Sequence, residues 1–129
     1  MVTAVKKQRQ TLAEGVTVEV LAALTELGVY NVSDMEQISF HVLNADVTYD
    51  QFVISGRFIN EGTWEVLFNT AADFTTPAGL LIGTSGDLTT IANTATGWFI
   101  MDTASLFEIK VEAASSGGAS TSTVNAGGS

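Results

Sequence analysis

A chain of 129 residues, 46% of them hydrophobic, fits one domain with a core of its own, and the lack of any cysteine excludes a disulfide framework or a thiolate metal site. Fourteen acidic against five basic residues give a net charge of −9, which repels phosphate and makes nucleic acid a poor partner. No apolar run approaches the roughly 18 residues of a membrane span and the N-terminus has no signal-peptide core, so neither a membrane nor an export leader is expected.

The charge is unevenly spread. Lys6, Lys7 and Arg9 fall within the first ten residues, which hold no acid, while from Thr11 onward two bases stand against fourteen acids, a balance of −12. Residues 1–14 show no apolar periodicity and are expected to be a flexible basic arm on an acidic body. Such an arm is either a leader that escapes the core or a tether, with Lys6, Lys7 and Arg9 facing carboxylates of a neighbour. A tether gains affinity by adding a strand to an exposed edge and by neutralising opposite charge.

Residues 15–125 are expected to form the folded body. Leu12, Val16, Val20, Ala23, Leu24 and Leu27 would line one face of a helix. Val16, Val18 and Val20 would equally line a strand that opens after Gly15, with Thr17 and Glu19 outside, and three valines and a threonine in five residues favour the strand. The turn-rich Gly28-Val29-Tyr30-Asn31-Val32-Ser33-Asp34 suits a short edge strand or a crossing. From Gln37 to Leu43, Ile38, Phe40 and Val42 alternate with Gln37, Ser39 and His41, and Asn44-Ala45-Asp46 then turns the chain.

The stretch from Gln51 to Asn69 reads as an antiparallel hairpin around a polar link containing Gly62. Phe52, Ile54 and Phe58 are expected inside on its first strand, opposed by Gln51, Ser55 and Arg57. On its second strand Trp64, Val66 and Phe68 are expected inside, opposed by Glu65 and Asn69. The long Thr-, Gly- and Ala-rich segment from Thr70 to Thr96 is anchored by Leu80-Leu81-Ile82 and then by Leu88 and Ile91. Gly97-Trp98-Phe99-Ile100-Met101 is apolar on both faces, as in a central strand. After a turn at Asp102-Thr103-Ala104-Ser105, Phe107, Ile109 and Val111 alternate with Glu108, Lys110 and Glu112. Ser115-Ser116-Gly117-Gly118 makes a turn, Ala119 to Asn125 a last Ser/Thr-rich strand, and residues 126–129 a fraying tail. About seven to nine strands with turns roughly every ten residues describe an all-β, single-domain antiparallel β-sandwich or jelly roll.

Each candidate for chemistry has a plainer reading. His41, the only histidine, has no serine or cysteine in a motif to partner it. Asn44, Asp46 and Asp50 offer oxygens for calcium but lack a closely spaced ligand loop, so turn capping is favoured, and the same holds for Asp73 and Asp87. No carboxylate pair is singled out by spacing for glycoside hydrolysis. Gly83-Thr84-Ser85-Gly86 has the glycines of a phosphate loop without its lysine. Trp64 and Trp98 suit sugar stacking, but their place in alternating apolar strands favours core packing.

Three pieces resemble small β-sandwich structural proteins of tailed bacteriophages: Tyr49-Asp50-Gln51-Phe52-Val53-Ile54-Ser55-Gly56-Arg57, the Gly62-Thr63-Trp64 turn, and Leu106-Phe107-Glu108-Ile109-Lys110-Val111-Glu112-Ala113-Ala114-Ser115 running into the Ser/Thr/Gly-rich close at Gly128-Ser129. The resemblance spans residues 36–129. It implies a non-enzymatic virion protein of the capsid surface, a decoration or cement protein that stabilises the head shell at subunit junctions. Its partners would be the major capsid protein and copies of itself in a homotrimer, with no catalytic residue, cofactor or metal. The alternative within the resemblance is a tail-fibre or baseplate module that binds host carbohydrate, and a small hydrolase comes third.

Overall fold

The computed structural model describes residues 9–44, 47–70, 80–84 and 96–129, with Leu81–Thr84 described by backbone alone. Lys6, Lys7, Asp46, Asp73, Asp87, Leu88 and Ile91 lie outside the described residues. The strands are β1 (Gln10–Val20), β2 (Thr25–Asn31), β3 (Gln37–Asn44), β4 (Gln51–Arg57), β5 (Glu65–Asn69), β6 (Leu80–Thr84), β7 (Thr96–Asp102), β8 (Glu108–Ala114) and β9 (Ser120–Gly128). They pair antiparallel throughout, in a five-stranded sheet β1-β9-β3-β7-β6 and a four-stranded sheet β2-β8-β4-β5. The β4–β5 and β6–β7 connections stay within a sheet, and every other connection crosses to the opposite one. With β6 set aside as an added edge strand, 1-9-3-7 faces 2-8-4-5, which is the double Greek key of a jelly roll.

Strict alternation carries the inner faces. Ile38, Phe40 and Val42 of β3 are buried, and so are Ile109, Val111 and Ala113 of β8. Phe40 and Phe99, register partners on β3 and β7, stack at 5.2 Å between ring centroids. Phe52 meets both edge-on from the facing sheet at 6.3 Å, and Tyr30 lies 6.4 Å from Phe40. These rings tie the two sheets together.

Where alternation breaks, bulges are the reason. The stretch read as helix or strand is two strands, β1 and β2. β1 opens at Gln10 rather than after Gly15, so residues 10–14 belong to the sheet and not to the arm. Its pairing with β9 shifts register between Thr11 and Ala13 and again between Ala13 and Val16. Gly15 supplies the second shift by adopting φ +61°, a left-handed conformation that glycine takes without a Cβ penalty. Leu12 and Ala13 consequently both pack against the core, while Val16 is left 44% exposed.

The hairpin needs a similar correction. Phe52 and Ile54 are buried as expected, but β4 ends at Arg57, and Phe58 in the following loop is 54% exposed. The β4–β5 register shifts between Ile54/Phe68 and Ser55/Val66, which leaves Leu67 as the extra residue. Leu67 and Phe68 pack against the core, and Val66 turns outward. Phe107, expected inside, precedes β8 and is half-buried. Residues 126–129 do not fray. β9 runs to Gly128 between β1 and β3, the Ser129 N–H donates to the Gln37 carbonyl at 3.0 Å, and the Ser129 carbonyl accepts from Glu36 and Gln37. A glycine-rich end that looks mobile from composition is thus held by backbone bonds on both sides.

At one end of the core β9 carries polar groups inward. Tyr49 Oη bonds Ser122 Oγ, Ser120 Oγ bonds Asn44 Oδ1, and the Val47 N–H donates to Ser120 Oγ at 3.1 Å. Removing one partner of a buried pair strands the other. Ser122→Ala is expected to lower stability by about 1–3 kcal/mol in a urea titration, and an unchanged midpoint would show that the Tyr49 hydroxyl reaches water or another acceptor.

Candidate functional site

The outer face of the five-stranded sheet gathers the chemistry-bearing side chains. Register places two rows across it. One runs Asn125–His41–Trp98, with Gly83 of β6 opposite Trp98; the other runs Thr11–Gly127–Ser39–Ile100. Arg9, just ahead of β1, lays its guanidinium over Gly127, where even a Cβ would come within 2.7 Å of Arg9 Cζ. The side-chain-free strand at Gly127 is what lets the guanidinium rest on the sheet.

One side of this face is pre-organised. The Gly15 N–H donates to Asn125 Oδ1 at 2.8 Å, which fixes the orientation of the amide. Asn125 Nδ2 therefore donates to His41 Nδ1 at 3.2 Å, so the neutral imidazole carries its proton on Nε2. Ser39 Oγ donates to the Gly127 carbonyl at 3.3 Å. Three adjoining clefts of about 380, 210 and 310 Å³ follow the face, and Arg9 borders all of them. Arg9 makes no ion pair with another described residue; the ion pairs among them are Arg57–Glu108 and Lys110–Glu112.

Of the arm residues named from sequence, Arg9 is thus on this face, and Lys6 and Lys7 lie outside the described residues. His41 is exposed on its strand as expected, bonded to an amide and not to a nucleophile. Neither tryptophan is a core residue, which overturns the packing expectation. Trp98 is 39% exposed in the cross-strand row. Trp64 is half-buried on the opposite sheet, with Arg57 and Lys110 over its ring at 4.8 and 4.7 Å. Asp50 caps a turn as expected: the Ser116 N–H donates to its Oδ1 at 3.2 Å, and hydrogen bonds from Ser116 hold the carboxyl below its ordinary range. Gly83 and Thr84 are in strand β6, a context that does not make a phosphate loop. No group of three His, Cys, Asp or Glu among the described residues is placed to hold a metal ion.

Sequence reasoning missed the row Asn125–His41–Trp98, because its members are brought together by pairings of up to 84 residues' separation in the chain and no local pattern announces them. No family model matches the chain, and no curated protein does. Among solved structures the SPBc2 prophage-derived protein YomS shares the fold, with a TM-score of 0.53 at 14% sequence identity over 98% of each chain. The fold is thus shared with that prophage-derived protein along 98% of both chains.

Proposed function

We propose that this chain is a non-enzymatic structural protein of a phage particle, seated on the outside of the head shell where it cements subunit junctions. The observation that carries the reading is the likeness to a prophage-derived protein over 98% of both chains. In this role the major capsid protein and two further copies of the chain are the partners, and binding to the assembled shell alone stabilises it by mass action. Arg9 leads directly into β1, an edge strand of the five-stranded sheet, and Lys6 and Lys7 precede it in the sequence as one basic segment. An acidic neighbouring surface is its electrostatic complement.

Fractionation of particles into heads and tails tests the location. Recovery with heads, and light scattering of a trimer, are expected; recovery with tails would replace this reading by the fibre or baseplate module. Deleting residues 2–8 is expected to leave the sandwich folded and to weaken attachment to purified shells at low salt, and Lys6→Glu with Lys7→Glu to weaken it further. The difference from the full chain should shrink as salt rises, because exposed charge pairs are screened beyond about 10 Å at 0.1 M. Equal low-salt affinity of the truncated and full chains would reduce the arm to a leader.

A further inference from the structure

We propose that the outer face of the five-stranded sheet is a binding site for an acidic saccharide, with Trp98 as the stacking platform and Arg9 as the carboxylate anchor. This does not rest on where in a particle the protein sits. An indole left 39% exposed on a sheet face has apolar area available for a flat ligand. Gly83 opposite Trp98 on the edge strand adds no side chain beside the ring on that side. The other tryptophan is differently placed, with two cations already over its ring, so the site is specific to this sheet.

The polar groups beside Trp98 suit a hydroxylated ring rather than an apolar one. His41, its register neighbour, directs Nε2–H outward because Nδ1 is occupied by Asn125, and Asn125 is itself fixed by the Gly15 N–H. The donor is set before any ligand arrives, which lowers the ordering cost of binding. Ser39 spends its proton on the Gly127 carbonyl and keeps lone pairs to accept from a sugar hydroxyl. Trp98, His41, Asn125 and Arg9 border one open cleft of about 210 Å³, which continues along the Ser39–Ile100 row into the cleft of about 380 Å³. An open trough that lengthens along the sheet fits a ring lying flat with further sugar units beside it.

Arg9 decides the class of sugar. Its guanidinium lies on the face without an ion-pair partner among the described residues, on a chain whose residues from Thr11 onward carry −12. A guanidinium fork matches a carboxylate bidentately. The surrounding acidity disfavours polyphosphates and nucleic acid, whose charge is dense, and tolerates one carboxylate per sugar unit.

Calorimetry and the two indole N–H signals in NMR test this on the full chain, with trigalacturonic acid and sialyllactose as acidic probes and maltotriose as the neutral one. Saturable binding of at least one acidic probe is expected, with the Trp98 indole and Asn125 amide signals moving and the Trp64 indole still. Trp98→Ala should weaken it about tenfold or more, Arg9→Gln should bring it down to the level of maltotriose, and Trp64→Ala should leave it within about twofold. Should Trp98→Ala unfold, Arg9→Gln and the signal map carry the test. No saturable binding of either acidic probe, equal affinity for maltotriose, full binding by a folded Trp98→Ala variant, or shifts confined to another surface would each overturn the proposal.

Discussion

Phe52→Ala is expected to lower stability by about 3–5 kcal/mol, whereas Phe58→Ala should change it by no more than about 0.5 kcal/mol. The two residues sit six apart in one apolar stretch and look equivalent in sequence. Phe52 is fully buried and meets Phe40 and Phe99 edge-on, so its loss opens a cavity between two rings of the facing sheet. A sandwich with rigid sheets on both sides collapses poorly onto such a cavity, which places the cost at the upper end for aromatic truncation. Phe58 lies beyond the end of β4 and is more than half exposed, so truncation removes little buried area. Urea titrations with matched m-values read the difference directly. Comparable losses from both variants would mean that the loop after β4 is folded onto a surface.

The parts of this fold legible in sequence are those where alternation runs unbroken. β3 and β8 bury Ile38, Phe40 and Val42, and Ile109, Val111 and Ala113, at every second position, and the class of fold followed from them. The parts that were not legible sit at bulges and glycines. Ala13 and Val16 straddle the left-handed Gly15, and Leu67 is an extra residue in β5, so the period of two loses its phase there without any change in composition. Gly127 and Gly128 look like a flexible end, yet they are the positions where Arg9 and Met35 need room against a paired strand. The candidate site was hidden for another reason. Arg9, His41, Trp98 and Asn125 come from four places in the chain, and only the topology that puts β9 between β1 and β3 and β7 beside β3 brings them to one face. The apolar run Gly97–Met101 favours core packing for Trp98, but parity on β7 turns it outward while Phe99 and Met101 point inward.

Alkaline titration should reveal a second large effect, because both tyrosines of the chain are buried. Burial pushes Tyr49 up to about 12 despite the opposing hydrogen bond from Ser122. Burial, with the Glu26 carboxylate adding to it, pushes Tyr30 up to about 12. In the unfolded chain each phenol would ionise near its ordinary value of about 10. The folded state therefore keeps two protons that the unfolded state releases between these values. Stability is fully present below pH about 10, falls as pH rises through the interval, and stops falling above about 12. Each pH unit of difference corresponds to about 1.4 kcal/mol, so each tyrosine contributes a loss of about 2–3 kcal/mol and the pair on the order of 5 kcal/mol. Tyrosinate absorbance is a clean reporter here, since no third tyrosine contributes. The folded protein is expected to show little tyrosinate at pH 10 and a steep, cooperative rise towards 12 that coincides with loss of the β-sheet circular dichroism signal. In concentrated urea the same rise should centre near 10. A half-amplitude step near 10 in the folded protein would show that one phenol is open to water, and Tyr49→Phe would tell which.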